Sequence, residues 1–317
     1  MAAPVYNILV TGGAGFIGSH VVDELIDAGH TVVVYDKVCY CANVKNVNLK
    51  ATLVKKDILD LDEVLRALTQ YNINVIMHFA AETHVDNSFN NSVEFMRVNA
   101  MGTHVMMEAT RQYGNIEKFI HVSTDEVYGS PLTQDQVFTE ASSLLLPTNP
   151  YAASKAAAEM IAHAYKISYS LPIIVTRCNN VYGPRQFPEK IIPLFHKLAS
   201  SGAPLTIHGS GLNKRAYLHV TDAARAFRVV LDKGEVGGVY NIGREDERTN
   251  LEVAAEINAH LKSEAGIVHV KDRSFNDTRY PLALDRIESM GWKPVVPWSS
   301  GLKDTLDWYT ANPDYWD

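Results

Sequence analysis

The sequence predicts an α/β protein, built as a doubly wound parallel sheet with a smaller C-terminal lobe. Three observations predict it. Short apolar runs rich in Val and Ile alternate with amphipathic stretches of helical period from residue 6 to about residue 172. The first run leads directly into a glycine-rich turn and a helix. Beyond Pro172 the alternation loosens, with no linker, repeat or low-complexity tract between the parts. Residues 1–172 therefore form the first domain, completed by segments within about 173–180 and 217–231, and 181–317 form most of the second lobe.

Each element follows in order. Tyr6 to Val10 is a short apolar strand. Thr11-Gly12-Gly13-Ala14-Gly15-Phe16-Ile17-Gly18 is a turn, and Ser19 to Ala28 is an amphipathic helix ended by Gly29. In the spacing Gly12-x-x-Gly15-x-x-Gly18, Gly12 permits the tight turn and Gly15 the approach of a pyrophosphate to backbone N–H groups. Gly18 permits close packing of helix on sheet, so the fold is Rossmann-type. Phe16 and Ile17 lie in the same cradle. The next strand, Thr31 to Tyr35, ends in Asp36, whose carboxylate can accept both ribose hydroxyls. It would repel a 2′-phosphate, which favours NAD over NADP; Lys37 weakens that preference.

Ala51 to Lys55 is a strand, with Asp57 and Ile58 placed for an adenine, and Leu61 to Gln70 is a helix. Val75 to Phe79 is a strand followed by Ala80 and Ala81, small enough to admit the cofactor backbone. Asn91 to Tyr113 reads as one long helix. Asn99 inside it is either a solvated or core-bridging group or a support of the site, and with Val98 it is a candidate cofactor contact. Lys118 to Val122 is a strand, and Ile173 to Thr176 is another. Leu205 to His208 and Val239 to Ile242 are short strands of either lobe; Ala223 to Leu231 and Leu251 to Lys262 are helices.

Composition narrows the function. The chain has 317 residues, and its net charge of −7 argues against a broad nucleic-acid footprint. No apolar run is long enough to span a bilayer. Cys39, Cys41 and Cys178 are an odd, low count, and the N-terminus lacks a charged leader before an apolar stretch, so a cytoplasmic location is expected. Cys39-x-Cys41 lacks the second pair of a zinc site; these are packing or loop thiols, and no metal is expected.

The chemistry is concentrated after the strand at 118–122. Thr124, Asp125 and Glu126 follow it, and Tyr151 and Lys155 lie one helical turn apart. A tyrosine at its ordinary pKa is a poor base near neutrality, but an ammonium beside it and a positive nicotinamide favour the phenolate. The phenolate can take a proton from a sugar hydroxyl while carbon gives hydride to NAD. Thr124 can hold the reacting oxygen. Two adjacent carboxyl groups with opposed duties add a second step to the oxidised intermediate.

Taken together, the glycine loop and Tyr151-x-x-x-Lys155 resemble the extended short-chain dehydrogenase/reductase family, and Thr124-Asp125-Glu126 resembles its nucleotide-sugar 4,6-dehydratase branch rather than the epimerases or decarboxylases. The resemblance also covers His78 to Asp86, Asn179 to Pro184, Phe187 to Lys190 and Asp272 to Tyr280. It implies oxidation at C4, removal of the C5 proton by Glu126 and protonation of the departing C6 hydroxyl by Asp125. Hydride then returns to C6, so a tightly held NAD is regenerated. It implies that Thr83, Thr124 and Asn180 contact the hexose or diphosphate, that Lys190, Ile191 and His208 cradle the nucleotide, and that Arg215, Asn250, Arg273 and Asn276 contact phosphate or base. Asn87, Phe275-Asn276, Asp36 to Cys41 and Trp308-Tyr309-x-x-Asn312-Pro313 are similar to the UDP-glucose 4,6-dehydratase portion of rhamnose synthases. UDP-glucose is thus the expected substrate, with dTDP-glucose as the alternative. A homodimer packed through Ser92 to Tyr113 and Ser154 to Ser168 is expected, and so is a separate downstream epimerase/reductase.

Overall fold

The computed structural model describes residues 4–142 and 145–316. The first three residues, part of the stretch read for a leader, lie outside the described residues. In chain order the first elements are β1 (Asn7–Thr11), α1 (Phe16–Asp27), β2 (Thr31–Tyr35), β3 (Thr52–Val54), α2 (Leu61–Gln70), β4 (Val75–His78), α3 (Val85–Asn90), α4 (Ser92–Phe95), a π-helical segment Met96–Met101, and α5 (Gly102–Tyr113). Then come β5 (Lys118–Thr124), a 3₁₀ turn Asp125–Tyr128, α6 (Pro150–Tyr169), β6 (Ile173–Cys178), β7 (Asn180–Tyr182), α7 (Ile191–Ser200), β8 (Leu205–His208) and β9 (Lys214–His219). The last are α8 (Val220–Lys233), β10 (Val239–Ile242), β11 (Glu247–Thr249), α9 (Asn250–Leu261), β12 (Ile267–Val270), α10 (Asp285–Ser289) and α11 (Trp298–Ala311).

Seven parallel strands form the main sheet in the order β10-β6-β5-β4-β1-β2-β3. Side chains alternate across each strand. In β1, Ile8 and Val10 enter the core beneath α1 and α8, while Leu9 enters the core beneath α2 and α5. The strand order reverses between β1 and β4, which opens a crevice at their carboxyl ends. Strands β7, β9 and β11 form a second sheet, and β8 pairs with β12 in a third. A third apolar core, with Phe195, Tyr217, Trp298 and Leu306, fills this C-terminal part.

Several elements depart from the sequence reading or were not assigned by it, among them β7, β9, β11, α7 and α11. Helix α1 starts at Phe16, with Gly15 as its N-cap, not at Ser19. The long helix expected over 91–113 is interrupted, because Asn91 leaves helical geometry and Met96–Met101 widens to a π turn that buries Val98, Asn99 and Ala100. Val239–Ile242 is an edge strand of the main sheet, beyond the segments expected to complete it. Ile267–Val270 is a strand that sequence reasoning missed; its residues are all exposed, so no apolar alternation marks it. Among the described residues, no helix is long and apolar enough to cross a membrane.

Candidate active site

One cleft runs from the glycine turn, across the ends of β1, β4 and β5, to the loops of the C-terminal part. Its first section is shaped by backbone. Gly12 has φ +70°, and a Cβ there would lie 2.7 Å from Ala80 N, so the turn and the loop after β4 touch main chain to main chain. A Cβ on Gly18 would collide with Gly12 O. Gly15 offers no side-chain cap to α1, which leaves first-turn N–H groups free for an anion. Phe16, Ile17, Asp57, Ile58, Phe79, Ala80, Ala81 and Val98 line the same section.

Asp36 is buried at the end of β2 and accepts from Ala14 N (3.0 Å) and Val38 N (2.7 Å). Each oxygen retains acceptor capacity for a ribose hydroxyl. Lys37 Nζ is 3.9 Å from Asp57, so part of its charge is already countered. Cys39 and Cys41 are loop thiols as expected, 3.8 Å apart in the cleft wall. These residues fit a dinucleotide with an unphosphorylated ribose.

The middle section holds the chemistry. Thr124 ends β5, and its hydroxyl accepts from Glu126 N (3.3 Å) and donates to Asp125 Oδ1 (3.1 Å), which turns the chain into the 3₁₀ segment. Asp125 accepts from Asn179 Nδ2 (2.7 Å) and Glu126 from Asn149 Nδ2 (2.9 Å). Asn149 is also the N-cap of α6, bonded to Ala152 N, with Pro150 at the first helical position. The same residue therefore fixes the helix carrying Tyr151 and the carboxylate facing it.

Burial pushes the Asp125 carboxyl up to about 7, with the Glu126 charge adding to it, while the Asn179 and Thr124 hydrogen bonds oppose the rise. Burial also raises Glu126, countered by Asn149 and by the positive charge of Arg215. Burial, with Glu126 and Asp125 nearby, drives the Tyr151 phenol up, and only the Thr124 hydroxyl favours the phenolate. Burial lowers Lys155 to about 8, and its ammonium donates to Val122 O (2.7 Å).

Asn99 and His208, both expected at the site, do not line the cleft. Asn99 accepts from Glu82 N (2.7 Å) and donates to Glu82 O (3.0 Å) and Ser154 Oγ (2.8 Å), so it ties the loop after β4 to α6. His208 closes β8 in register with Val270, outside the cavity.

The outer section is charged. Thr83, Asn180, Lys190, Ile191, Arg215, Asn250, Arg273 and Asn276 all line it. Lys190 donates to Thr83 O (2.8 Å), and Arg273 pairs with Asp86 (Nε–Oδ1 2.6 Å). Arg215 lies over the Tyr280 ring at 4.8 Å and donates to Asp277 O (3.0 Å). Sequence reasoning overlooked Asn149, Asn179, Asp277 and Tyr280 as site residues. Asn149-Pro150 was legible as a helix start; the other three fall in runs that the resemblance covers, where they were given no role.

The comparisons agree with this geometry. A family model described as GDP-mannose 4,6 dehydratase matches residues 9–305. A trifunctional UDP-glucose 4,6-dehydratase, 3,5-epimerase and reductase of Arabidopsis thaliana is 52% identical over 98% of this chain, which spans 48% of that protein's length. The dTDP-D-glucose 4,6-dehydratase of Mus musculus is 45% identical over 98% of this chain and 90% of its own. The dTDP-glucose 4,6-dehydratase DesIV of Streptomyces venezuelae, solved with NAD bound, superposes with a TM-score of 0.93 at 38% identity, covering 98% of this chain and 99% of that one. The chain belongs to the GDP-mannose 4,6 dehydratase family and has the short-chain dehydrogenase/reductase fold.

Proposed function

We propose that the chain is a UDP-glucose 4,6-dehydratase, which converts UDP-glucose to UDP-4-keto-6-deoxyglucose. The observation that carries the dehydratase reading is the pair Asp125 and Glu126 in one cleft with Tyr151, each carboxyl held by its own asparagine. An epimerase or decarboxylase needs no such pair. The preference for UDP rests on the 52% identity to the Arabidopsis protein, against 45% to the mouse dTDP-D-glucose enzyme. The second reading, dTDP-glucose, is favoured by the fuller coverage of the mouse relative and by the likeness to DesIV.

NAD, when bound, supplies the acceptor and donor of hydride. Every other task falls to the chain. Gly12, Gly15, Gly18 and Asp36 hold the dinucleotide, with Asn99 fixing the loop that flanks it. Tyr151 takes the proton of the C4 hydroxyl, Thr124 holds that oxygen, and Lys155 keeps a positive charge beneath them. Glu126 removes the C5 proton, made acidic by the C4 ketone. Asp125, raised to about 7 and so partly protonated near neutrality, gives its proton to the departing C6 hydroxyl. Lys190, Arg215 and Arg273 face the diphosphate, for which guanidinium forks are suited.

A homodimer belongs to the same reading. Val93, Met96 and Met101 on α4 and the π segment, and Met160, Ile167 and Tyr169 on α6, leave apolar side chains exposed where two copies would pack. A cytosolic location is supported by three free thiols, Cys39, Cys41 and Cys178. If the product goes on to rhamnose, an epimerase/reductase activity must follow.

The test is incubation with UDP-glucose and, separately, dTDP-glucose, without added reductant, followed by NMR of the product. A 4-keto-6-deoxy sugar nucleotide is expected from both, with the higher kcat/KM for UDP-glucose. A higher value for dTDP-glucose overturns the choice of base. A 4-epimer overturns the dehydratase.

A further inference from the structure

Beside Glu126, a hydrogen-bond chain that the proposed reaction does not yet use runs from Tyr280 and Asp277 in the cleft wall to Thr148 and Ser130, which do not line the cleft. Tyr280 Oη is 3.5 Å from Glu126 Oε2 and 2.5 Å from Asp277 Oδ2. Asp277 also accepts from Thr148 Oγ1 (2.6 Å) and from Ser130 Oγ. Tyr280 and Asp277 are 4% and 3% exposed, whereas Thr148 and Ser130 are half-buried and lead towards the surface at Leu132.

The polarity of this chain is fixed. A phenol has one hydrogen, and the short contact to Asp277 takes it. Towards Glu126 the phenol therefore presents a lone pair. That arrangement gives nothing to a Glu126 carboxylate, whose donor is Asn149. It gives a protonated Glu126 an acceptor. Three hydroxyl donors converge on Asp277, which makes it the anion at the far end. The other exit from Glu126 is the cleft itself, and a bound hexose would cover it.

We infer that Tyr280 and Asp277 form a proton relay that connects Glu126 to solvent while the sugar is bound. The inference rests on the dehydratase reading, in which Glu126 takes the C5 proton. The steps balance. Glu126 gives its proton to the Tyr280 oxygen as the Tyr280 proton passes to Asp277, and Asp277 exchanges it with water by way of Thr148 or Ser130. The reverse path brings a solvent proton back to Glu126 and so to C5 when hydride returns to C6. Tyr280 and Asp277 touch neither sugar carbon; they act through Glu126.

The experiment is turnover of UDP-glucose in deuterated water by the full chain with NAD, with the C5 position of the product read by NMR. The unaltered chain is expected to place deuterium at C5. Tyr280→Phe keeps the ring over Arg215 but lacks the hydroxyl, and its product is expected to retain mainly the original C5 protium. Asp277→Asn is expected to give the same retention, although either Ser130, which donates to Oδ1, or Thr148, which donates to Oδ2, can still donate to its single amide oxygen. Equal C5 deuterium in Tyr280→Phe and the unaltered chain overturns the relay, as does a product from the unaltered chain without C5 deuterium. If Tyr280→Phe reduces NAD but releases no product, the residue belongs to elimination itself, which also overturns the relay. Absence of any 4-keto-6-deoxy product from the unaltered chain is a different failure, because it removes the dehydratase reading on which the relay stands.

Discussion

The two walls of the cleft are built differently. The inner wall, from the end of β5 to the start of α6, is buried, and its ionisable carboxyl and ammonium groups have assigned partners: Asn179 for Asp125, Asn149 for Glu126, Val122 O for Lys155. The outer wall, formed by loops near 83–86, 187–190 and 272–277, is held by ion pairs open to water, such as Arg273–Asp86 with side-chain exposures of 28% and 32%. Buried partners hold one geometry and shift pKa values strongly; exposed ion pairs do neither. The inner wall therefore sets the reaction, and the outer wall can change its hold on a nucleotide at little cost to the fold.

The strongest way to break this division is at Tyr151. Tyr151→Phe is expected to lower kcat/KM by about 10³-fold, within the range for a lost acid–base group. Stopped-flow absorbance should show no reduced nicotinamide and NMR no product, with the fold intact. Next is the support beneath that wall. Arg177 of β6 makes a buried bidentate pair with Glu159 of α6 (2.7 Å) and lies 4.6 Å over the Tyr128 ring. Arg177→Met strands a buried carboxylate, and a loss of roughly 3 kcal/mol in unfolding free energy is expected in urea titration. A change near zero would show that the inner wall does not depend on this pair.

Asp125 links geometry to pH. Its carboxyl is raised to about 7, so the proton it donates is present below that pH and lost as pH rises through it. The elimination rate should fall above about pH 7 for that reason. Asp125→Asn should slow elimination by roughly 10²-fold, let reduced nicotinamide accumulate, and abolish this alkaline limb. Retention of the limb in the variant would assign it to Lys155, lowered to about 8, instead.

The inner wall was also the more legible in sequence, but only in part. The glycine turn, Asp36, and the Tyr151/Lys155 turn are local patterns, and the chain alone carries them. The order β1, α1, β2 could be read because strand alternation and helix period are local too. Asn179 and Tyr280 could not be read as partners of the acids. They meet Asp125 and Glu126 from 54 and 154 residues away, through the crossing of β6 and the return of the C-terminal loop. The π turn was hidden for another reason: Met96–Met101 keeps an unbroken helical composition, and only the tertiary demand that Asn99 reach Glu82 and Ser154 explains its extra residue. Tyr151 shows the limit of motif reasoning. The motif predicts a phenolate favoured by Lys155 and a positive nicotinamide; it does not show the opposing pull of burial and of Glu126 and Asp125, which raise the phenol.

The smallest effect is expected at the outer wall. Arg273 uses Nε and Nη2 for Asp86, which places a carboxylate where a diphosphate would approach. The pair is partly exposed and so is worth at most about 1 kcal/mol, and an incoming diphosphate can displace it. Asp86→Asn removes the competing charge while keeping the side chain's size. The KM for the nucleotide sugar should fall by about threefold at low salt, with kcat unchanged, and the difference should shrink as ionic strength rises and the charges are screened. A rise in KM would instead mean that Asp86 aims Arg273 at the phosphate. The outer wall would then share the fixed geometry of the inner one, and the division between the walls would fail at this residue.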